Sequence, residues 1–387
     1  MTIIIRIYIL LCVSLLIFDI CFLLVQNRRS IVAYRVNRKL EDQIRTEITL
    51  HRETGAFSPD FPDTLRQALP KTRNLLTLQG VLEDDAQAQE WFRPFVFAQL
   101  KEYASRDDYE QAYYTYILST FDYRREKPSP EFVDDLIGFL DSKSLYTFAN
   151  TMTCLYAIGL TAPLMRAMDI INEREGFYHK KLLVDGLLSA QVEGDDLNTS
   201  LIWKFDSYTP YIQDCLLDYF RLCGQDVSDL CMRVLTGGKA DAQVRFTAMR
   251  YFAKYPNADA KAYFLTVLAD DNAPWIEQML SIQALRRYDD REAHDAIFKK
   301  ITSPNWYVRV NAVQYLHDRG LSREDVFDIL YQKDRYANES LLYQFRGDKE
   351  MTRYIVDTIQ LLNMQDATVD ASSDVDALCN AASGAAV

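Results

Sequence analysis

The sequence predicts an all-α protein: a single N-terminal transmembrane helix followed by an α-solenoid, a superhelix of stacked helical hairpins. Three observations predict it. The 13 Gly and 11 Pro are few for 387 residues, and long stretches without either suit helices better than the closely spaced turns of a β fold. An apolar stretch near the start is long enough to cross a bilayer. A beat of roughly 32 residues recurs through the C-terminal half, in the range where stacked repeats occur.

The apolar stretch comes first. Residues 3–25 read IIIRIYILLCVSLLIFDICFLLV, and at about 1.5 Å per residue such a helix spans the roughly 30 Å hydrocarbon core. The following FLLVQNRRS lacks the small-residue pair of a signal-peptide cleavage site. Residues 1–26 are therefore expected to form an uncleaved signal anchor, in contact with the lipid bilayer through residues 3–25. Arg28, Arg29, Arg35, Arg38 and Lys39 follow it, whereas Arg6 is the one basic side chain before or near its start. The positive-inside rule places the remainder in the cytoplasm. Arg6 can snorkel to the interface. Tyr8, Cys12 and Asp19 fall on one helix face at about 100° per residue. This polar seam is read either as a contact with another transmembrane helix or as a protonated Asp19 eased by local water.

Residues 27–63 are expected to form a basic juxtamembrane helix and a linker. Val36, Leu40, Ile44 and Ile48 recur at four-residue spacing, giving an amphipathic helix that could lie on anionic lipid or continue as a stalk. TGAFSPDFPD, 54–63, concentrates turn residues and is the linker candidate. The solenoid is assigned to 64–363 and is most secure over 205–345. The last residues, 364–387, are small, polar and acidic, and an unstructured tail is expected there.

Within the array, Gly159, Gly224 and Gly320 stand 65 and 96 residues apart, two and three units of roughly 32. Tyr255-Pro256 and Tyr288-Asp289 mark the two intermediate breaks. Matched helices at 208–220, 241–252, 272–285 and 305–316 end on Phe220, Phe252, Leu285 and Leu316, with spacings of 32, 33 and 31. Second helices follow from Asp259, Arg291 and Ser322, the last with Asp325 in a capping arrangement. Earlier in the chain, 85–106 begins a long helical pattern, and 107–126 carries Tyr109, Tyr113, Tyr114, Tyr116, Phe121 and Tyr123 on one expected helix.

Val244-Arg245-x-x-Ala248-x-x-x-Phe252 and Val308-Arg309-x-x-Ala312-x-x-x-Leu316 resemble the HEAT-repeat family, particularly its short, phycobilisome lyase-like repeats. Gln278 and Ser281 stand where that pattern has Arg and Ala, and the segment before Gly224 keeps the period without the Val-Arg pair. The resemblance implies an armadillo-type superhelix used for protein–protein contact. It also implies that Arg245 and Arg309 are structural, pairing with acidic groups of a neighbouring turn. Ala248 and Ala312 would let adjacent helices approach closely.

Catalytic chemistry finds no motif. His51, His179, His294 and His317 are the four histidines, and no H-E-x-x-H, phosphate-loop or G-x-S-x-G pattern occurs. The HEAT enzymes that hold iron use paired His-Glu steps, which this chain lacks. The net charge of −12 argues against nucleic acid as a partner. Seven cysteines without paired spacing read as reduced thiols, mostly small core residues, so neither a metal nor another cofactor is expected. Trp275 and Trp306, at one repeat position, read as packing residues. Tyr109, Tyr113 and Tyr116 form a candidate interaction surface, with covering of neighbouring hairpins as the simpler reading and an aromatic groove for a peptide or glycan as the alternative. The expected function is a membrane-anchored cytoplasmic scaffold or adaptor that binds a membrane-associated protein. The alternative is a HEAT-type enzyme or lyase acting on a tethered substrate.

Overall fold

A computed structural model of the protein describes residues 38–364 apart from 175, 193 and 195. The expected anchor at 3–25, with Tyr8, Cys12 and Asp19, and the expected tail from 365 lie outside these residues. Among the described residues the secondary structure is entirely helical, and none of the helices is long and apolar enough to cross a membrane. The chain divides into two compact units, one ending at Lys204 and one beginning at Phe205.

The first unit contains α1 (38–54), α2 (Phe61–Ala68), α3 (Thr72–Leu82), α4 (Ala86–Phe97), α5 (Leu100–Ala104), α6 (Asp108–Ser119), α7 (Pro130–Ile137), α8 (Leu145–Ile158), α9 (Thr161–Glu173), α10 (Lys180–Ser189) and α11 (Asp196–Lys204). The second contains α12 (Pro210–Cys223), α13 (Ser228–Thr236), α14 (Ala242–Lys254), α15 (Ala258–Ala269), α16 (Trp275–Leu285), α17 (Arg291–Phe298), α18 (Trp306–Asp318), α19 (Arg323–Tyr331), α20 (Arg335–Gln344) and α21 (349–364).

The apolar stripe of α1 is not free to lie on lipid. Ile44 and Ile48 are buried, because the helix docks on its own unit. Within the 54–63 stretch residues 54–56, 59 and 60 are exposed, Phe57 and Ser58 are half-buried, and α2 begins at Phe61. Glu47 accepts a hydrogen bond from the Ser58 amide at 2.9 Å. The His51 ring lies 4.5 Å from Phe57 and 4.1 Å from Trp91, centroid to centroid, while Phe57 also meets Phe92 and Phe95. Burying these rings outweighs the turn-forming tendency of the residues around them.

Two other long patterns are broken. Over 85–106 the helix divides into α4 and α5 a few residues after Pro94, which sits inside α4 and removes one helical hydrogen bond. Over 107–126 the helix stops at Ser119, so Phe121 and Tyr123 lie in the following turn. Both are buried there, with the Tyr123 hydroxyl donating to the Leu118 carbonyl at 2.8 Å.

Packing follows an alternating rule within each unit. In the second, α12, α14, α16, α18 and α20 pack in succession, and α13, α15, α17 and α19 each pack against the helix that follows them. In the first, α6, α8 and α10 make one such series, and α5, α7, α9 and α11 another. Side chains latch neighbouring turns at a regular sequence distance. Tyr103 donates to the Leu69 carbonyl, Arg174 to Ser142, Lys254 and Tyr255 to Arg221, Arg287 to Ala253 and Tyr288 to Asn257, over separations of 31 to 34 residues. The turn tyrosines that mark the beat are thus themselves latches.

Gly159 shows why a turn needs glycine. Its φ of 64° closes α8 in the left-handed region, and a Cβ there would lie 2.1 Å from the Gln191 carbonyl oxygen. Gly224 closes α12 in the same way at φ 84°. Apolar side chains fill the space between layers, including Phe252, Phe264, Leu285 and Leu316. Cys154, Cys215 and Cys231 join this core, whereas Cys223 is exposed. Burial pushes the Cys154 and Cys231 thiols well up, leaving them in the unreactive protonated form.

Candidate functional site

The second unit holds a broad concavity. It opens where α15 ends and where α16 and α18 begin. Pro274 starts α16 without a side-chain cap, while the Asn305 side chain accepts from the Tyr307 and Val308 amides at 2.9 and 3.4 Å to start α18. Between them α17 runs into a short 3-10 turn, Lys299–Thr302, which brings two lysines to the opening. The cleft has a volume of about 770 Å³, and Leu265, Leu268, Trp275, Lys299, Lys300 and Val308 contribute to its walls.

Lys300 is only 7% exposed, because its aliphatic stem lies in the cleft wall while its ammonium pairs with Asp271 at 2.7 Å. That ammonium holds the Asp271 carboxyl below its usual range. Lys299 is exposed. Asp295 and Glu292, which border the adjoining surface, are already paired with Arg291 and Lys261 respectively. Lys299 is thereby the one charged side chain of the cleft wall without an ion pair among the described residues.

The repeat-pattern residues lie on α14 and α18, the neighbours of α16. Ala248 and Ala312 are wholly buried, on helices that pack directly against α16. Arg245 pairs with Glu277, a buried carboxylate on α16. Among the described residues Arg309 has no acidic partner of this kind. It donates to the Ser303 and Pro304 carbonyls at 2.7 and 2.9 Å and to the Ser340 hydroxyl at 3.3 Å. Its guanidinium also lies over Trp306 and Tyr336, 5.6 and 4.6 Å from the ring centroids, as cation–π geometry allows.

Trp275 and Trp306 occupy the first positions of α16 and α18. Packing alone does not account for them, since they remain 40% and 37% exposed. Trp275 stacks on Tyr307 with centroids 5.1 Å apart, and Trp306 meets Tyr343 edge-on at 5.1 Å. Tyr307 is 56% exposed. These aromatics therefore form two partly exposed pairs, one between α16 and α18 and one between α18 and α20. Aromatic spacing made the tryptophans visible in the sequence, but only packing shows how much of each ring faces outward.

In the first unit, Tyr109 and Tyr113 meet at 4.6 Å between centroids, with their hydroxyls 3.1 Å apart. Tyr109 is 66% exposed and Tyr116 45%. Tyr116 borders a smaller pocket of about 230 Å³ with Leu78, Leu82, Val96 and Phe121. Tyr114, next along the helix, points inward and stacks on Tyr103 at 4.6 Å. Among the described residues no group of three or more His, Cys, Asp or Glu side chains could hold a metal ion. The chain matches no protein-family model and no curated protein.

Proposed function

We propose that this chain is a membrane-anchored scaffold or adaptor whose units are stacks of HEAT-like hairpins and whose cytoplasmic surface binds a membrane-associated protein. The two exposed aromatic pairs carry this reading. Trp275 and Trp306 recur at one place in successive hairpins and stay partly exposed, and exposed aromatics in series suit an extended protein contact. The regular latches at 31 to 34 residues support stacking of the HEAT type.

The membrane part rests on the apolar 3–25 sequence and the basic residues after it. Because α1 is docked on its unit, residues 26–37 alone separate that stretch from the first described helix, a reach of at most about 45 Å. The seam of Tyr8, Cys12 and Asp19 would add a contact within the bilayer.

Affinity purification of the full chain from membranes, beside a form lacking residues 1–26, tests the reading. A membrane protein retained by the full chain and depleted from the shortened one is expected. Failure of both forms to retain any protein would reject the scaffold role. Digestion of the helical units by protease added outside intact cells would reject the cytoplasmic orientation.

A further inference from the structure

We propose that the cleft between α15, α16, α17 and α18 receives an acidic segment of the partner protein, seating an apolar side chain against Trp275 and a carboxylate at Lys299. This deepens the scaffold reading and rests on it.

The walls define the apolar half of the ligand. Leu265 and the 40% exposed Trp275 ring offer the accessible apolar surface of a space of about 770 Å³, larger than one side chain fills and suited to a short peptide stretch. Trp275 also stacks on Tyr307, so a segment leaving the cleft there continues over a second exposed ring.

Charge complementarity defines the polar half. The chain carries a net charge of −12, yet the cleft wall carries two lysines against one carboxylate, Asp271. Lys299 is exposed and has no ion pair among the described residues. The Lys300 ammonium has an acidic partner, but that partner, Asp271, has a 93% exposed side chain, so an incoming carboxylate can replace or join it. The Ser303 and Pro304 carbonyls, which would oppose an anion, are already engaged by Arg309. An acidic peptide finds a counter-charge at Lys299.

The test pans a random-peptide display library on the full chain in detergent and measures binding of the enriched peptides. Lys299→Glu and Lys299→Arg are compared, with Tyr146→Ala as an exposed-aromatic control in the other unit. The expected peptides carry an excess of Asp and Glu around an aliphatic or aromatic residue. Lys299→Glu should weaken them by about ten-fold or more, while Lys299→Arg and Tyr146→Ala bind as the parent does. Absence of enrichment, peptides without acidic excess, or equal binding by Lys299→Glu would each overturn the proposal. A chain ending at Met364 that binds the peptides about ten-fold more tightly would reassign the seat to this chain's own acidic residues Asp366, Asp370, Asp374 and Asp376. The peptide assay is independent of membrane co-purification, so the cleft and the scaffold role can fail separately.

Discussion

Ser281 occupies the place in α16 where α14 and α18 carry Ala248 and Ala312. It is wholly buried and its hydroxyl has no hydrogen-bond partner among the described residues. A buried unsatisfied polar group costs about 1–3 kcal/mol, and alanine keeps the small volume that close helix packing needs. Ser281→Ala is therefore expected to stabilise the second unit by about 1 kcal/mol, read as a higher denaturation midpoint of the full chain. A lower midpoint would show that the hydroxyl contributes favourably. Neighbouring residues show how far the sequence reaches at this scale. The spacing of Arg245 and Arg309 identifies them as one repeated position, but not their partners. Arg245 meets the carboxylate of Glu277, whereas Arg309 meets two carbonyls and the Ser340 hydroxyl. The difference depends on which residue the next hairpin presents, which the Val-Arg pattern does not contain.

Helix starts are the most legible elements because their capping residues act locally. Asp241, Asn257, Asp290, Asn305 and Ser322 each accept from an amide of the first turn, and Ser322 with Asp325 forms a reciprocal capping box. Helix ends set by distant contacts are less legible, as the turn after Ser119 shows: Phe121 and Tyr123 leave the helix to fill space under it. The caps also predict an acid response. The Ala293 amide and then Lys261 hold the Asp290 carboxyl below its ordinary 3.8, and the Ser322 hydroxyl and amide lower Asp325. A carboxyl lowered in the folded state stabilises fully above its unfolded value, and that contribution is lost as pH falls through the folded one. The denaturation midpoint should thus change little from these groups above about pH 5 and fall below about pH 4. Asp290→Asn, which retains a capping oxygen but not the charge, should reduce that fall. An acid response unchanged by Asp290→Asn would remove Asp290 from its cause.

Across the whole chain, the beat of the hairpins was readable from glycine and tyrosine turns because each latch reaches to the adjacent turn, 31 to 34 residues away. The division at Lys204 and Phe205 was not assigned by that beat, since the period continues in both units. Candidate surfaces were legible only as residue types: spacing located the tryptophans and tyrosines, while the lysine edge of the cleft needed the 3-10 turn after α17. Stacking also fixes how a local defect should spread within the second unit. Leu285 is wholly buried on α16, which packs on α14 and α18 but is separated by them from α12 and α20. Leu285→Ala should destabilise the unit by about 2–5 kcal/mol through lost burial and a residual cavity. If neighbouring interfaces carry the cooperativity, amide hydrogen exchange should accelerate most in α16, then in α14 and α18, and least in α12 and α20. Native conditions are needed, because complete unfolding would expose all five helices together. Equal acceleration throughout α12–α20 would reject nearest-neighbour coupling and make the second unit one globally cooperative body.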